Sequence, residues 1–200
     1  QSGLLNDWIG GSSVKPYQPE HIWREISHYG SVLDTTQVFV QDHASNLYRR
    51  SMYTLWKRTN PPPAMAIFDA PNRELCVMDR ESTNTPLQAL VLLNDTQFVE
   101  ISRHFAQRLL LEMPESADDE RLAAAFESLT TRLPSEDELE ILQEALEKQR
   151  AIFRRDRTAA EELLSFGEYP RNRRLEPSEH AAYCQVINLI MNLSESLTKS

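Results

Sequence analysis

The stretch Pro134-Ser-Glu-Asp-Glu-Leu-Glu-Ile-Leu-Gln-Glu-Ala-Leu-Glu-Lys-Gln-Arg-Ala-Ile-Phe153 decides the fold class. Ser135 followed three residues later by Glu138 is a capping box: the hydroxyl accepts from an orphan amide of the first turn, and the carboxylate reaches back to the amide of the cap. Leu139, Leu142, Leu146 and Phe153 then hold one apolar stripe at helical spacing. The same logic extends in both directions. Towards the N-terminus, Ser116–Asp119 opens a helix carrying Leu122, Ala125, Phe126 and Leu129. Before it, Asn94-Asp95 re-caps a segment with Phe98, Ser102, Phe105 and Leu109 on one face and Ile101 and Leu110 beside it. Thr85-Pro86 places a capping hydroxyl just before a proline at the first helical position, and Leu87, Leu90 and Val91 follow. Towards the C-terminus, Thr158–Glu161 repeats the box pattern, and Gly167 supplies a stop after Leu163, Leu164 and Phe166. A basic, proline-bounded loop spans 168–177. The closing helix is predicted at about 178–198, with Tyr183, Val186, Ile187, Ile190, Leu193 and Leu197 inward.

The first 84 residues follow different rules. Ser12–Pro19 reads as an extended, proline-broken loop, and a short amphipathic helix carries Ile22, Trp23 and Ile26. Asn46–Thr59 reads as a helix, since Leu47, Met52, Leu55 and Trp56 fall on one broad face, although its aromatic and β-branched content also allows a strand. Asn60-Pro-Pro-Pro-Ala ends it either way. Met65–Asp69 and Glu74–Met78 are short apolar runs joined by Asp69-Ala-Pro-Asn, a turn signal. The expected fold is therefore mainly α: a helical bundle over about 85–198 with an irregular, proline-rich N-terminal half. The expected organisation is a single domain over 1–200, divided into a loop-rich subregion 1–84 and a helical subregion 85–200.

Composition bounds the function. The 200 residues are 40% hydrophobic and 26% charged, a globular balance. A chain of this length buries roughly 70% of the surface it exposes when unfolded. The net charge of −9 argues against a nucleic-acid partner, which calls for a basic face. The charge is uneven. Residues 1–111 carry 11 acidic and 10 basic side chains, 112–147 carry 12 and 2, and 148–200 carry 7 and 9. The acidic stretch has no D-x-[DN]-x-[DN]-G calcium loop and reads as a solvated helical face. Arg154, Arg155, Arg157, Arg171, Arg173 and Arg174 form a complementary basic patch. No apolar run is long enough to cross a membrane, and no signal-peptide pattern opens the chain.

Five glycines assemble no phosphate loop, Ser51, Ser82 and Ser102 lack the glycines of a nucleophile elbow, and His21, His28, His104 and His180 show no zinc spacing. Cys76 and Cys184 match no metal or redox motif, and no CxxCH attaches a haem. No metal site and no cofactor within this chain are expected. One polar constellation stands out: Asp42, His43, Arg49, Arg50, Asp69 and Arg80. As a site, it would use His43 as a general base or metal ligand oriented by an aspartate, with the arginines holding an anionic group. As plain structure, the acids cap and the arginines pair. The run Thr83-Asn-Thr-Pro-Leu-Gln88 likewise reads as capping and helix-to-loop bonding.

Four segments carry a resemblance: Gly10-Gly-Ser-Ser-Val-Lys-Pro-Tyr-Gln-Pro19, Leu47-Tyr-Arg-Arg-Ser-Met-Tyr-Thr-Leu-Trp-Lys-Arg-Thr-Asn-Pro-Pro-Pro63, Phe68-Asp-Ala-Pro71 and Thr83-Asn-Thr-Pro-Leu-Gln-Ala-Leu-Val-Leu-Leu-Asn94. They resemble the C-terminal portion of the planctomycete-type domain of unknown function 1553. The run Ala125–Leu139 and the final helix are similar to its closing part, so the likeness extends over essentially the whole chain. The family domain begins earlier than Gln1. It typically follows another domain of unknown function, often with a c-type cytochrome-like module, in large exported proteins. The resemblance thus implies an extracytoplasmic (periplasmic or cell-surface) location and an accessory or interaction role. It implies the upstream domains of the same polypeptide and a c-type cytochrome module as partners. The family has no established catalytic residues, and the reading leans away from an enzyme. The rival reading is part of a hydrolytic enzyme or a binding site for an anionic polysaccharide in the Asp42/His43/Arg49/Arg50 region. Where the family commonly has Asp-His-Gly, this chain has Asp42-His43-Ala44, which removes a turn glycine.

Overall fold

A computed structural model describes residues 1–23, 38–58, 60–79 and 82–198. Among them are eight α-helices and no strand: α1 (Pro63–Ile67), α2 (Pro86–Asn94), α3 (Thr96–Glu112), α4 (Asp118–Thr130), α5 (Glu136–Arg155), α6 (Arg157–Leu163), α7 (Pro177–Met191) and α8 (Ser194–Leu197). The fold is mainly α, a helical bundle with an irregular N-terminal half. No helix among the described residues is long and apolar enough to cross a membrane. The chain separates into two compact units, one of Gln1–Leu4 with Ala89–Ser200 and one of Leu5–Gln88.

The helical unit is organised around α7. Pro177, Ser178, His180, Ala181, Ala182, Tyr183, Cys184, Val186, Ile187, Asn188 and Ile190 are all buried. A helix buried on nearly every side sits at the centre of its bundle. Its fully buried alanines, Ala181 and Ala182, let neighbouring backbones approach closely. Phe105 and Leu109 of α3, Leu122 and Phe126 of α4, Leu142, Leu146 and Phe153 of α5 and Ala160 of α6 complete one core with it. Asn188 ties α7 to the end of α2 by donating to the Leu92 carbonyl at 3.0 Å. The terminal residues Gln1–Leu4 are held to α3, where His104 Nδ1 lies 2.7 Å from the Ser2 carbonyl and Arg108 donates to the Gln1 carbonyl.

Capping follows the local code at most positions. Asp95 accepts from the Gln97 amide at 2.9 Å. Both halves of the Ser135–Glu138 box are formed, at 3.2 and 2.8 Å. Two expectations require correction. The cap of α6 is Asp156, which accepts from the Ala159 amide at 2.9 Å, so Thr158 lies inside the helix; a carboxylate two residues upstream takes the orphan amide first. The closing helix over about 178–198 is two helices. Asn192 Nδ2 donates to the Asn188 carbonyl at 3.0 Å, Ser196 Oγ donates to the Ile190 carbonyl at 2.8 Å, and Leu193 is extended. Side chains thus satisfy the carbonyls that a continuing helix would use, and Leu193 is left 37% exposed. Gly167 stops the chain after α6 as expected, at φ +83. A Cβ there would lie 2.1 Å from Glu100 Cδ, so glycine is required twice over at this position.

The loop unit has a small core of Val14, Trp23, Leu47 and Tyr48. The helix expected over Asn46–Thr59 is absent among its described residues. Two short 3₁₀ turns, Ala44–Tyr48 and Ser51–Tyr53, are separated by extended Arg49 and Arg50. The backbone instead pairs in parallel with residues 6–14, through bridges Asn6 to Arg49 and Val14 to Thr54. Asn6 N donates to Tyr48 O at 2.9 Å, Val14 N to Tyr53 O at 2.8 Å and Leu55 N to Val14 O at 2.8 Å. Helical periodicity loses here because distant backbone satisfies the same donors and acceptors. The proline run ends this segment and starts the next, since Pro63 occupies the first turn of α1. Ile26 of the predicted amphipathic helix lies outside the described residues.

Candidate functional site

The parallel pairing brings the Gly10-Gly11 loop around the side chain of Arg49. Arg49 is 6% exposed. Its guanidinium donates to the carbonyls of Trp8 at 2.9 Å, Gly10 at 2.5 Å and Ser12 at 3.2 Å. The guanidinium carbon lies 3.8 Å from the Tyr53 ring centroid and 5.5 Å from that of Trp8. Tyr53 Oη in turn accepts from the Gly10 amide at 2.9 Å. Gly10 and Gly11 adopt φ of +91 and +87, which suits them to the tight turn over the arginine. Only a rigid planar fork with several donors meets three carbonyls in this way. Arg50, the next residue, turns outward to an exposed ion pair with Asp7 at 2.9 Å.

The other candidates have other partners. Asp42 and Lys15 form a two-bond clamp, Lys15 N donating to Oδ2 at 2.8 Å and Asp42 N to Lys15 O at 2.9 Å. His43 is exposed at the entrance to the first 3₁₀ turn. Ala44 holds φ +56, so the turn is made in a conformation that L-residues disfavour. Asp69, at φ +58, accepts from Thr83 N at 2.9 Å and Thr83 Oγ1 at 2.8 Å. Gln88, buried to 1%, donates to the Ile67 carbonyl at 2.9 Å and Thr83 Oγ1 at 3.0 Å. It also completes a capping box with Thr85, at 2.9 and 3.3 Å. The Phe68-Asp-Ala-Pro and Thr83-Asn-Thr-Pro-Leu-Gln segments are therefore one hydrogen-bonded assembly, matching the capping and helix-to-loop expectation. Arg80 lies outside the described residues. Asp42, Arg49, Arg50 and Asp69 are each engaged with a different partner, so among the described residues these side chains act as ties. Among the described residues no group of three His, Cys, Asp or Glu side chains is placed to hold a metal ion. Cys76 is exposed and Cys184 buried, and both are free thiols.

Those tied segments lie within residues 1–146, which match the family model described as PSD1, a protein of unknown function (DUF1553). The chain belongs to this family. No curated protein and no solved structure matches it. The PSD1 match ends at Leu146, inside α5, so α7 lies beyond the matched residues although the helical core is built on it.

Two polar centres of this PSD1 chain escaped sequence reasoning, both in the helical unit. Arg150, with its side chain 10% exposed, pairs with Asp118 at 2.5 Å, with Glu147 at 2.6 Å and with Glu179. Tyr183 Oη donates to Asp118 at 2.7 Å. The Arg150 hydrogen bond foremost, with help from Tyr183, holds the Asp118 carboxyl down at about 2. The available signal was Arg150 itself, a charged residue on the stripe of Leu142, Leu146 and Phe153. The second centre joins Glu100, Arg103 and His180, each no more than 1% exposed. Glu100 accepts from the Tyr169 amide at 2.6 Å, Arg103 donates to the Tyr169 carbonyl at 2.5 Å, and His180 Nε2–H donates to the Arg103 carbonyl at 2.9 Å. Burial pushes the His180 imidazole down to about 4, and Arg103, Arg171 and His104 add to the push. This network seals the 168–177 loop onto α3.

Proposed function

We propose that this domain is an accessory or interaction module of a larger exported, cytochrome-linked protein. Its partners on this reading are the upstream domains of the same polypeptide and a c-type cytochrome module, and its location is periplasmic or cell-surface. The exported and cytochrome-linked setting rests on the family resemblance. The interaction role is supported by one observation in the loop unit. Asp42, Arg49 and Asp69 are spent there on fixing loops, and the fixed loops present apolar residues: Trp8 is 66% exposed, Ile9 85% and Met52 70%. Exposed apolar residues on a scaffold held by ties fit docking to another surface better than turnover of a small substrate.

Crosslinking of the full-length parent tests the role. Crosslinks from residues 5–14 and 48–55 to other domains are expected in the wild type. They should be lost in Ile9→Ser/Met52→Ser, with the melting temperature held. Crosslinks unchanged by the double variant would sink the reading. Cell fractionation tests the location, and recovery of the parent in the cytoplasm alone would overturn it.

A further inference from the structure

The outer face of α5 is self-complementary. Ile141 and Ile152 stand about three turns apart on one side of the helix, at 63% and 52% exposure. The buried Leu142, Leu146, Arg150 and Phe153 take the opposite side. The exposed side begins acidic, with Asp137, Glu140 and Glu144, and ends basic, with Lys148 and Arg155. Acids first and bases last suit the helix dipole, which accounts for the order of charge. It does not account for two exposed isoleucines set among those charges. The Glu144–Lys148 ion pair within the helix, at 3.2 Å and with both side chains mostly exposed, contributes little by itself and leaves both groups open to other partners.

We propose that α5 pairs antiparallel with α5 of a second copy of this chain, about a twofold axis near Leu146–Glu147. In that register Ile141 meets Ile152 of the second copy, Glu144 meets its Lys148, and Asp137 meets its Arg155. Each contact occurs twice, as a closed isologous interface requires. The acidic segment that dominates the charge of the chain thereby gains a basic partner, the C-terminal half of the same helix. The stripe is short against the ~1,200 Å² of a standard interface. The association is accordingly weak, with a dissociation constant on the order of 100 μM, and it is salt-sensitive because its charges are exposed.

Sedimentation of the whole 200-residue chain, carrying Cys76→Ser to exclude adventitious disulfides, tests this. At low salt the average mass should rise with concentration towards a dimer, and about 0.5 M salt should reverse it. Ile141→Glu/Ile152→Glu should remain monomeric while melting as the parent does. Glu144→Lys alone should weaken the dimer, and Glu144→Lys/Lys148→Glu should restore it, since the reversed pair attracts again. Ile141→Cys/Ile152→Cys should oxidise to a covalent dimer. Ile141→Cys alone should not, because its two copies lie about 16 Å apart along the axis in this register. A chain that stays monomeric at low salt and about 1 mM, or a dimer indifferent to the isoleucine or charge-reversal variants, would overturn the proposal.

Discussion

In the helical unit a buried arginine, Arg150, is ringed by three carboxylates and faces a tyrosine hydroxyl's acceptor. In the loop unit a buried arginine, Arg49, has no carboxylate in its cage among the described residues and is held by three backbone carbonyls and two aromatic rings. The difference follows from how each unit satisfies its backbone. Helices consume their own amides and carbonyls, so Arg150 is left to neutralise side chains from α4, α5 and α7. Beyond its short helical turns the loop unit has only isolated bridges among its described residues, so Arg49, Asp42, Asp69 and Gln88 perform much of the backbone pairing that a sheet or long helix would perform for itself. Around Arg150 polar residues organise charge, and around Arg49 they organise backbone.

The largest test of this contrast is truncation. The family match stops at Leu146, but α7 supplies the centre of the helical core. A chain ended at Leu146 exposes Phe105, Leu109, Leu122 and Phe126 together, and the loss of a whole central helix exceeds the 5–15 kcal/mol typical of domain stability. Residues 1–146 should show no cooperative helical melting by circular dichroism. A sharp transition like that of the parent would mean that the matched segment folds without α7.

The two arginines come next. Arg150→Met leaves Asp118, Glu147 and Glu179 crowded without their cation, and the expected loss is about 3 kcal/mol, at the low end for a broken buried pair because the acids retain some solvent. The helical transition should fall by about 10 °C. Arg49→Met strands carbonyls that water can partly reach, so a smaller loss of about 1–2 kcal/mol is expected. It should appear as faster hydrogen exchange at Asn6, Val14 and Leu55, with the helical transition little moved. Equal effects of both variants on the helical melt would erase the contrast.

Acid should act on the helical unit through His180. Its folded value of about 4 lies below the unfolded 6.5, so the unfolded chain binds the extra proton first. The stability is complete above pH 6.5 and is lost as pH falls towards 4, by up to roughly 3 kcal/mol. Asp118, held at about 2 against 3.8, extends the acid loss below pH 4. His180→Gln, which keeps a donor for the Arg103 carbonyl, should flatten the curve between pH 6.5 and 4 in urea titrations. An unchanged slope would show that His180 does not carry it.

Legibility in the sequence followed the range of the interaction. The caps at Thr85, Asp95 and Ser135 depend on residues two or three positions away, and each was readable. Arg150 was visible as a charge on an apolar stripe, but two of its partners, Asp118 and Glu179, lie 32 and 29 residues off. The 46–59 segment was misread because its hydrogen-bond partners are residues 6–14, brought together only by the fold. Of the candidate site residues, Arg49 and Asp69 are central to ties of the loop unit. Residue type alone could not tell an arginine that binds carbonyls from one that binds a ligand, because the donors are the same.

Ala44 provides the smallest test. Its φ of +56 lies in the left-handed region, where a Cβ crowds the following carbonyl and costs about 1 kcal/mol against glycine. The neighbouring Asp42–Lys15 clamp and buried Leu47 and Tyr48 hold the turn in place despite that cost. Ala44→Gly should relieve the strain but add freedom to the unfolded chain, for a net gain of roughly 0.5 kcal/mol. The gain should slow amide exchange within the loop unit and leave the helical melt unmoved. If Ala44→Gly loosens the loop unit instead, then unfolded-state entropy outweighs strain at this turn, and the alanine is the better residue here.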